Sequence, residues 1–134
     1  MKVEHSDTDT LEFLDSAGMA FMTLTVHRLN AALIEQGIAD SGVREEICSK
    51  FLFGFAYHHD AGWLMQDDRQ VFPMVVLAER RKPGPDENLG KIRTLHVPTQ
   101  ASSWHEYACG VVSEYFSANE SAAGIRRGSY ENGD

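Results

Sequence analysis

Apolar residues recur every three or four positions from about Asp9 to Gln36. Leu11, Leu14, Gly18, Phe21, Thr25, Leu29 and Ala32 form one stripe, flanked by Met19, Met22, Val26, Leu29 and Leu33. This is the period of an α-helix, and the two stripes together make an arc wider than one partner helix covers. Asp9 and Glu12 have capping-box spacing, and Gly37 is placed to end the helix. Gly18 is a candidate interruption, dividing a short leading helix from a longer one.

The linker Gly37–Gly42 offers Asp40 and Ser41 as N-caps for a second helix from about Val43 to His59. Glu45 and Glu46 lie near its positive end. Val43, Ile47, Phe51 and Phe55 form one ridge; Cys48, Leu52, Phe55 and His59 form another. The run Phe51–Tyr57 is apolar on every face and also alternates as a strand would, but its charged lead-in decides for helix. A helix apolar all round needs cover on all sides, which in so small a chain points to a subunit interface.

Asp60, Ala61 and Gly62 end that helix, and Gln66–Gln70 reads as a turn. Val71–Ala78 is then a strand rich in β-formers, with Pro73 confined to an edge or to the strand's start because it cannot donate to a ladder. A long exposed connection, Arg81–Gly90, holds two prolines and two glycines and leads to a returning strand, Lys91–Val97. Ser103 and Glu106 form a capping box that opens a third helix to about Phe116. Its inward face carries Trp104, Ala108, Val111 and Tyr115. The predicted fold is α+β and mainly helical, in the order α-α-β-β-α: two long antiparallel helices, a β-hairpin and a C-terminal helix. A lone hairpin is marginal in water, so it must lie on the helices or pair with a second copy.

Length and composition agree with one globular domain, assigned to residues 1–116, with 117–134 as a mobile tail. Of the 134 residues, 43% are hydrophobic and 24% charged, close to the globular average. No apolar run approaches the ~20 residues of a membrane span, and Met1–Asp7 has no hydrophobic core of a signal peptide. Two cysteines, Cys48 and Cys109, lie apart in apolar segments, as suits a reducing compartment rather than a disulfide scaffold. The expected location is cytoplasmic.

Charge is uneven. The net value is −8, yet residues 69–98 carry 6 basic side chains against 3 acidic, while residues 1–68 carry 4 against 12. The basic set Arg80, Arg81, Lys82, Lys91 and Arg93 is a candidate anion-binding surface. It serves equally to pair with acidic helices of the same or a second subunit. An acidic chain makes a poor general nucleic-acid binder.

The densest chemistry is His58, His59 and Asp60 at the end of the second helix. Adjacent helical residues point about 100° apart, so both histidines cannot readily hold one ion. His105 and Cys109 share a face of the third helix at i, i+4. Together His58, His59, Asp60, His105 and Cys109 would suit zinc or iron if the helix ends met. Each also has a structural explanation: histidine is favoured at a helix C-terminus, and Asp starts turns. Cys109 has His105 one turn away, whereas Cys48 looks like core filling. Phosphate-cradling, dinucleotide-binding, serine-hydrolase and zincin motifs are absent from the sequence.

Three functions follow in order of expectation. The first is a non-catalytic, self-associating interaction or scaffold protein, a homodimer offering its acidic or basic faces to a protein partner. The second is a metal-binding protein or small metal-dependent enzyme using the His/Asp/Cys cluster. The third is an anion- or nucleic-acid-binding module using the basic hairpin.

Overall fold

A computed structural model of the protein describes residues 2–5, 8–98 and 102–121. Helix α1 spans Thr8–Glu35, so Asp9 lies within its first turn instead of capping it. Gly37 ends the helix as expected: at φ +88° its N–H donates to Ile34 O, and the Ile38 N–H reaches back to Leu33 O, both at 3.0 Å. A left-handed residue with a bond spanning five residues is the glycine-terminated helix end, and it satisfies carbonyls that would otherwise be orphaned. Helix α2 spans Ser41–Ala61, and Asp40, not Ser41, is its cap, accepting from the N–H groups of Gly42 and Val43. Arg44 clamps this corner, donating to Asn30 Oδ1 and to the carbonyls of Ile38 and Ala39.

Contacts between side chains set the helix directions. Arg44 at the start of α2 meets Asn30 near the end of α1, while Phe55 further along α2 packs on Phe21. The two helices are therefore antiparallel. Helix α3 spans Trp104–Ser121. Its Trp104 lies over Gly18 and its Tyr115 bonds His27, so it runs parallel to α1 and antiparallel to α2. The core lies among the three: Met22 and Val26 from α1, Cys48, Leu52 and Ala56 from α2, and Trp104, Ala108, Val111, Val112, Tyr115 and Phe116 from α3. All four predicted inward residues of α3 are buried. The helix continues five residues past the predicted end at Phe116, and residues 122–134 of the expected tail lie outside the described residues.

One further expectation is corrected. Gly18 does not interrupt α1; it keeps the helix free of a side chain where the Trp104 indole crosses it. The apolar run of α2 is covered only in part within one chain: Cys48, Leu52, Ala56 and His59 face the core, while Phe51, Phe53 and Tyr57 stay about half exposed.

The strands are more numerous than the pattern implied. β1 (Lys2–His5) pairs in parallel with β5 (Ile92–Val97), whose other edge pairs antiparallel with β4 (Leu77–Arg80). The expected hairpin is thus the β4–β5 pair, with β5 central. Glu79 bonds His96 across it at 2.7 Å, and Phe13 of α1 packs on the His96 ring at 4.4 Å. The predicted strand Val71–Ala78 is divided. Its first residue ends β3 (Arg69–Val71), residues 72–76 join no ladder, and only Leu77 onward pairs with β5. Pro73 supplies the reason, because a residue without N–H cannot continue the pairing. The turn at 66–70 is the tip of a second hairpin, in which β2 (Leu64–Gln66) pairs with β3. Asp67 and Asp68 both take positive φ, 49° and 63°. That is the twist a two-residue hairpin turn requires, and Asp tolerates it better than most residues.

The Gly18–Trp104 crossing generates a test. At an ordinary helix position Gly→Ala gains roughly 1 kcal/mol through backbone entropy. Here the added Cβ would sit inside the indole. Gly18→Ala is expected to lose a net ~1–2 kcal/mol of unfolding free energy, because overpacking outweighs propensity. Urea denaturation reads the sign, and a stabilised variant would contradict the close crossing.

Candidate functional site

The C-terminal end of α2 delivers His59 and Asp60 to the N-terminal end of α3, and the two side chains do different things there. Asp60 is nearly enclosed, its side chain 3% exposed. Its Oδ1 accepts from Ser102 Oγ at 2.7 Å; its Oδ2 accepts from the backbone N–H of His105 at 2.7 Å and bonds the same residue's ring Nδ1 at 2.6 Å. A backbone N–H bond from Trp104 adds to these. The carboxylate therefore caps α3 from outside the helix, where unpaired N–H groups and the positive end of the dipole favour an anion. Ser103 and Glu106 have the predicted spacing, but the bond between them is backbone to backbone. The side chain that meets the first turn is that of Asp60. Burial pushes the Asp60 carboxyl up, but the hydrogen bonds from His105, Ser102 and Trp104 outweigh it and hold the group below its ordinary value.

Because Oδ2 bonds Nδ1, the proton of a neutral His105 sits on Nδ1 and the Nε2 lone pair is left free. Carboxylate-bound imidazoles in metal sites and catalytic triads are fixed in the same way. The His105 side chain is 33% exposed. Phe53 and Tyr57 of α2, one turn apart, each present to it with ring centroids at 6.0 Å and near-perpendicular planes.

His59 is directed inward. Its ring stacks on the Trp104 indole at 3.8 Å, and its Nδ1 accepts the Val75 N–H at 2.8 Å. The proton of the neutral ring is therefore on Nε2, which is buried without a hydrogen-bond partner among the described residues. Burial lowers the His59 pKa, and the charge of Asp60 beside it offsets only part of that effect. The same bond gives residues 72–76 an anchor in place of the ladder that Pro73 forbids. A cavity of about 320 Å³ opens beside the anchor, lined by His59, Asp60, Gly62, Phe72, Met74 and Pro98. A second, of about 210 Å³, lies between Phe55, His58 and the chain from Pro73 to Val75.

No protein family, curated protein or solved structure matches this chain. Its site is read from its own chemistry.

Of the five residues grouped from the sequence, the structure joins Asp60 to His105 and places His59 beside them on Trp104. His58 is exposed, and Cys109 is exposed with a free thiol. Among the described residues no three His, Cys, Asp or Glu side chains converge as a ligand set for a metal ion. Cys48 is core filling, as expected; burial pushes its thiol up to about 11, with the Arg44 charge opposing. Within the basic set, Arg80 donates to Gly90 O and Arg81 pairs with Glu87, so both brace the 81–91 loop. Lys82, Lys91 and Arg93 are exposed. Little in the residue pattern pointed to Ser102, to the Val75 N–H or to Phe53 and Tyr57. The four-residue spacing of the last two was the signal present.

The shifts of His59 and Asp60 both make the fold less stable in acid, in different ranges. The unfolded chain protonates His59 near 6.5, whereas the folded chain does so only at lower pH. Its neutral form therefore supports folding fully above that value, with support lost as pH falls below it. Asp60 has its folded pKa below the ordinary 3.8, so its contribution is present above that pH and lost in stronger acid. Urea denaturation at pH 7.5 and 5.5 tests the first effect: His59→Gln, which does not titrate, should lose less stability between them than the wild type. An equal loss would remove His59 as the cause. Asp60→Ala strips the cap and leaves donors unmet, and should cost about 2–4 kcal/mol at pH 7; a cost below 1 kcal/mol in the same assay would show that α3 does not depend on it.

Proposed function

We propose that this protein acts by self-association, as a cytoplasmic homodimer that serves as an interaction or scaffold protein. The observation that carries this reading is the β2–β3 hairpin. All six of its residues are exposed, including Leu64, Met65 and Val71, and it is flanked by Trp63 at 58% and Phe72 at 50% exposure. An isolated two-stranded hairpin is marginal in water. In this register Leu64 and Val71 share one face and Met65 lies on the other, and exposed apolar side chains in such number are a mark of a contact surface.

The chemistry of the hairpin favours a second copy as the occupant. Its turn carries both signs of charge, Asp67 and Asp68 next to Arg69, which a surface that meets its own copy can use. Isologous contacts of this type need one patch complementary to itself. The apolar excess predicted for the helices is represented on α2 by Phe51, Phe53 and Tyr57, and the hairpin carries a second exposed apolar set. The free thiols Cys48 and Cys109 suit a reducing compartment. No described helix is long and apolar enough to cross a membrane.

Sedimentation at micromolar concentration should show a dimer. The double variant Trp63→Ser, Met65→Asp should sediment as a monomer and keep the wild-type far-ultraviolet circular dichroism, because neither side chain belongs to the core. A monomeric wild type, or a variant that stays dimeric, would overturn the reading.

A further inference from the structure

We propose that Asp60 and His105 form a carboxylate-oriented imidazole that reacts with small, neutral acyl compounds, aryl esters being the class best suited to its surroundings. The argument starts from atoms already placed. Asp60 Oδ2 lies 2.6 Å from Nδ1 and also accepts the His105 backbone N–H, so the ring is held at both its root and its edge. That arrangement commits the neutral ring to one tautomer, with the Nε2 lone pair as its nucleophile or base. The carboxylate is enclosed while the imidazole is one-third exposed, so the anion is screened from solvent, and the His105 Nε2 is not among the buried unpartnered nitrogens. Among the described residues no group occupies Nε2 by hydrogen bonding.

The aromatic pair supplies the selectivity. Phe53 and Tyr57 are 45% and 50% exposed and both stand beside the His105 ring. They offer apolar surface to an aromatic leaving group. A neutral substrate is required because Asp60 and the overall charge of −8 disfavour anions.

In the reaction, the Nε2 electron pair forms a bond to the ester carbonyl carbon, and the carbon–oxygen bond breaks with its pair leaving on the aryloxide. The resulting acyl-imidazolium keeps its Nδ1 proton against the Asp60 carboxylate, which balances the new positive charge. Water then adds to the acyl carbon, its surplus proton passes through solvent to the aryloxide released in the first step, and the carbon–nitrogen bond breaks, returning the pair to Nε2. The net change is ester plus water to carboxylic acid plus phenol. Asp60 is a positioning residue in this scheme, since it touches the imidazole and not the substrate.

The inference is independent of self-association, and its test uses the full chain with p-nitrophenyl acetate. Release of p-nitrophenolate should exceed that of free imidazole at the concentration of the protein's six histidines, and mass spectrometry of rapidly quenched protein should find the acetyl group on His105. His105→Gln should remove the excess, whereas His58→Gln, which alters an exposed histidine outside the pair, should retain it. Nitrogen NMR of the wild-type imidazoles should show His105 as the Nδ1–H tautomer, and Asp60→Asn should mix the tautomers. Should Asp60→Asn fail to fold, the wild-type tautomer and the site of acetylation decide the matter by themselves. The proposal is overturned by a rate no greater than that of imidazole, by acetylation elsewhere, by an unchanged His105→Gln rate, or by a wild-type His105 that carries its proton on Nε2.

Discussion

Trp104 enters the helix bundle between Gly18 of α1 and His59 of α2, and each contact constrains a different helix. The glycine lets the indole approach the α1 backbone; the imidazole covers the ring's face at 3.8 Å. Since Trp104 is also the first residue of α3, the place where the third helix starts is the place where all three meet. Asp60, one residue beyond His59, then satisfies the first turn of α3. Two consecutive residues of α2 thus set both the depth and the start of α3. An error in either would leave a large indole or several backbone donors without a proper environment, and both faults are among the costly ones in proteins.

The sequence was most legible where structure is decided within a few residues. Asp40 before an apolar run, Gly37 after one, and the three- and four-residue spacing from Trp104 to Tyr115 all act locally, and all describe what the chain does. The edges of α2 and the existence of the β4–β5 hairpin were readable for the same reason. β1 was not, because four residues of mixed polarity become a strand only when a parallel partner some ninety positions away supplies the ladder. Residues 72–76 misled in the opposite way. Their β-forming composition promised a strand, and Pro73 was recognised as a difficulty, but the alternative anchor was an imidazole from another element.

The candidate site shows the same division. Residue type nominated Asp60 and spacing nominated His105, within a group of five, and a meeting of the two helix ends was the condition for them to matter. The helix ends do meet, yet in a geometry that makes a hydrogen-bonded pair rather than a cage of ligands. What could not be read was the identity of the α3 cap. Ser103 and Glu106 have the right local spacing, and the carboxylate that takes the role comes from 45 residues earlier in the chain. Capping patterns describe the donors a helix must satisfy; the acceptor is free to arrive from any element that ends nearby.

The His59–Val75 bond connects this interior junction to the exposed hairpin. The chain leaves the core after His59, makes the β2–β3 excursion and returns to the same imidazole. Closing a loop of this length costs little entropy beyond that of a shorter one, so one buried hydrogen bond and the packing of Val75 suffice to tether it. The β2–β3 hairpin between the two anchors is then free to be specified by something other than the core. Those positions contain Trp63, Leu64, Met65, Val71 and Phe72, a concentration of exposed apolar side chains that the helix bundle does not use. The tether also requires that Nδ1 remain an acceptor, which a protonated ring cannot do. Burial lowers the His59 pKa and so favours the neutral ring. The chemistry that places α3 and the chemistry that presents the hairpin therefore meet in one side chain, His59, whose two faces of duty are the indole on one side and the returning backbone at its edge.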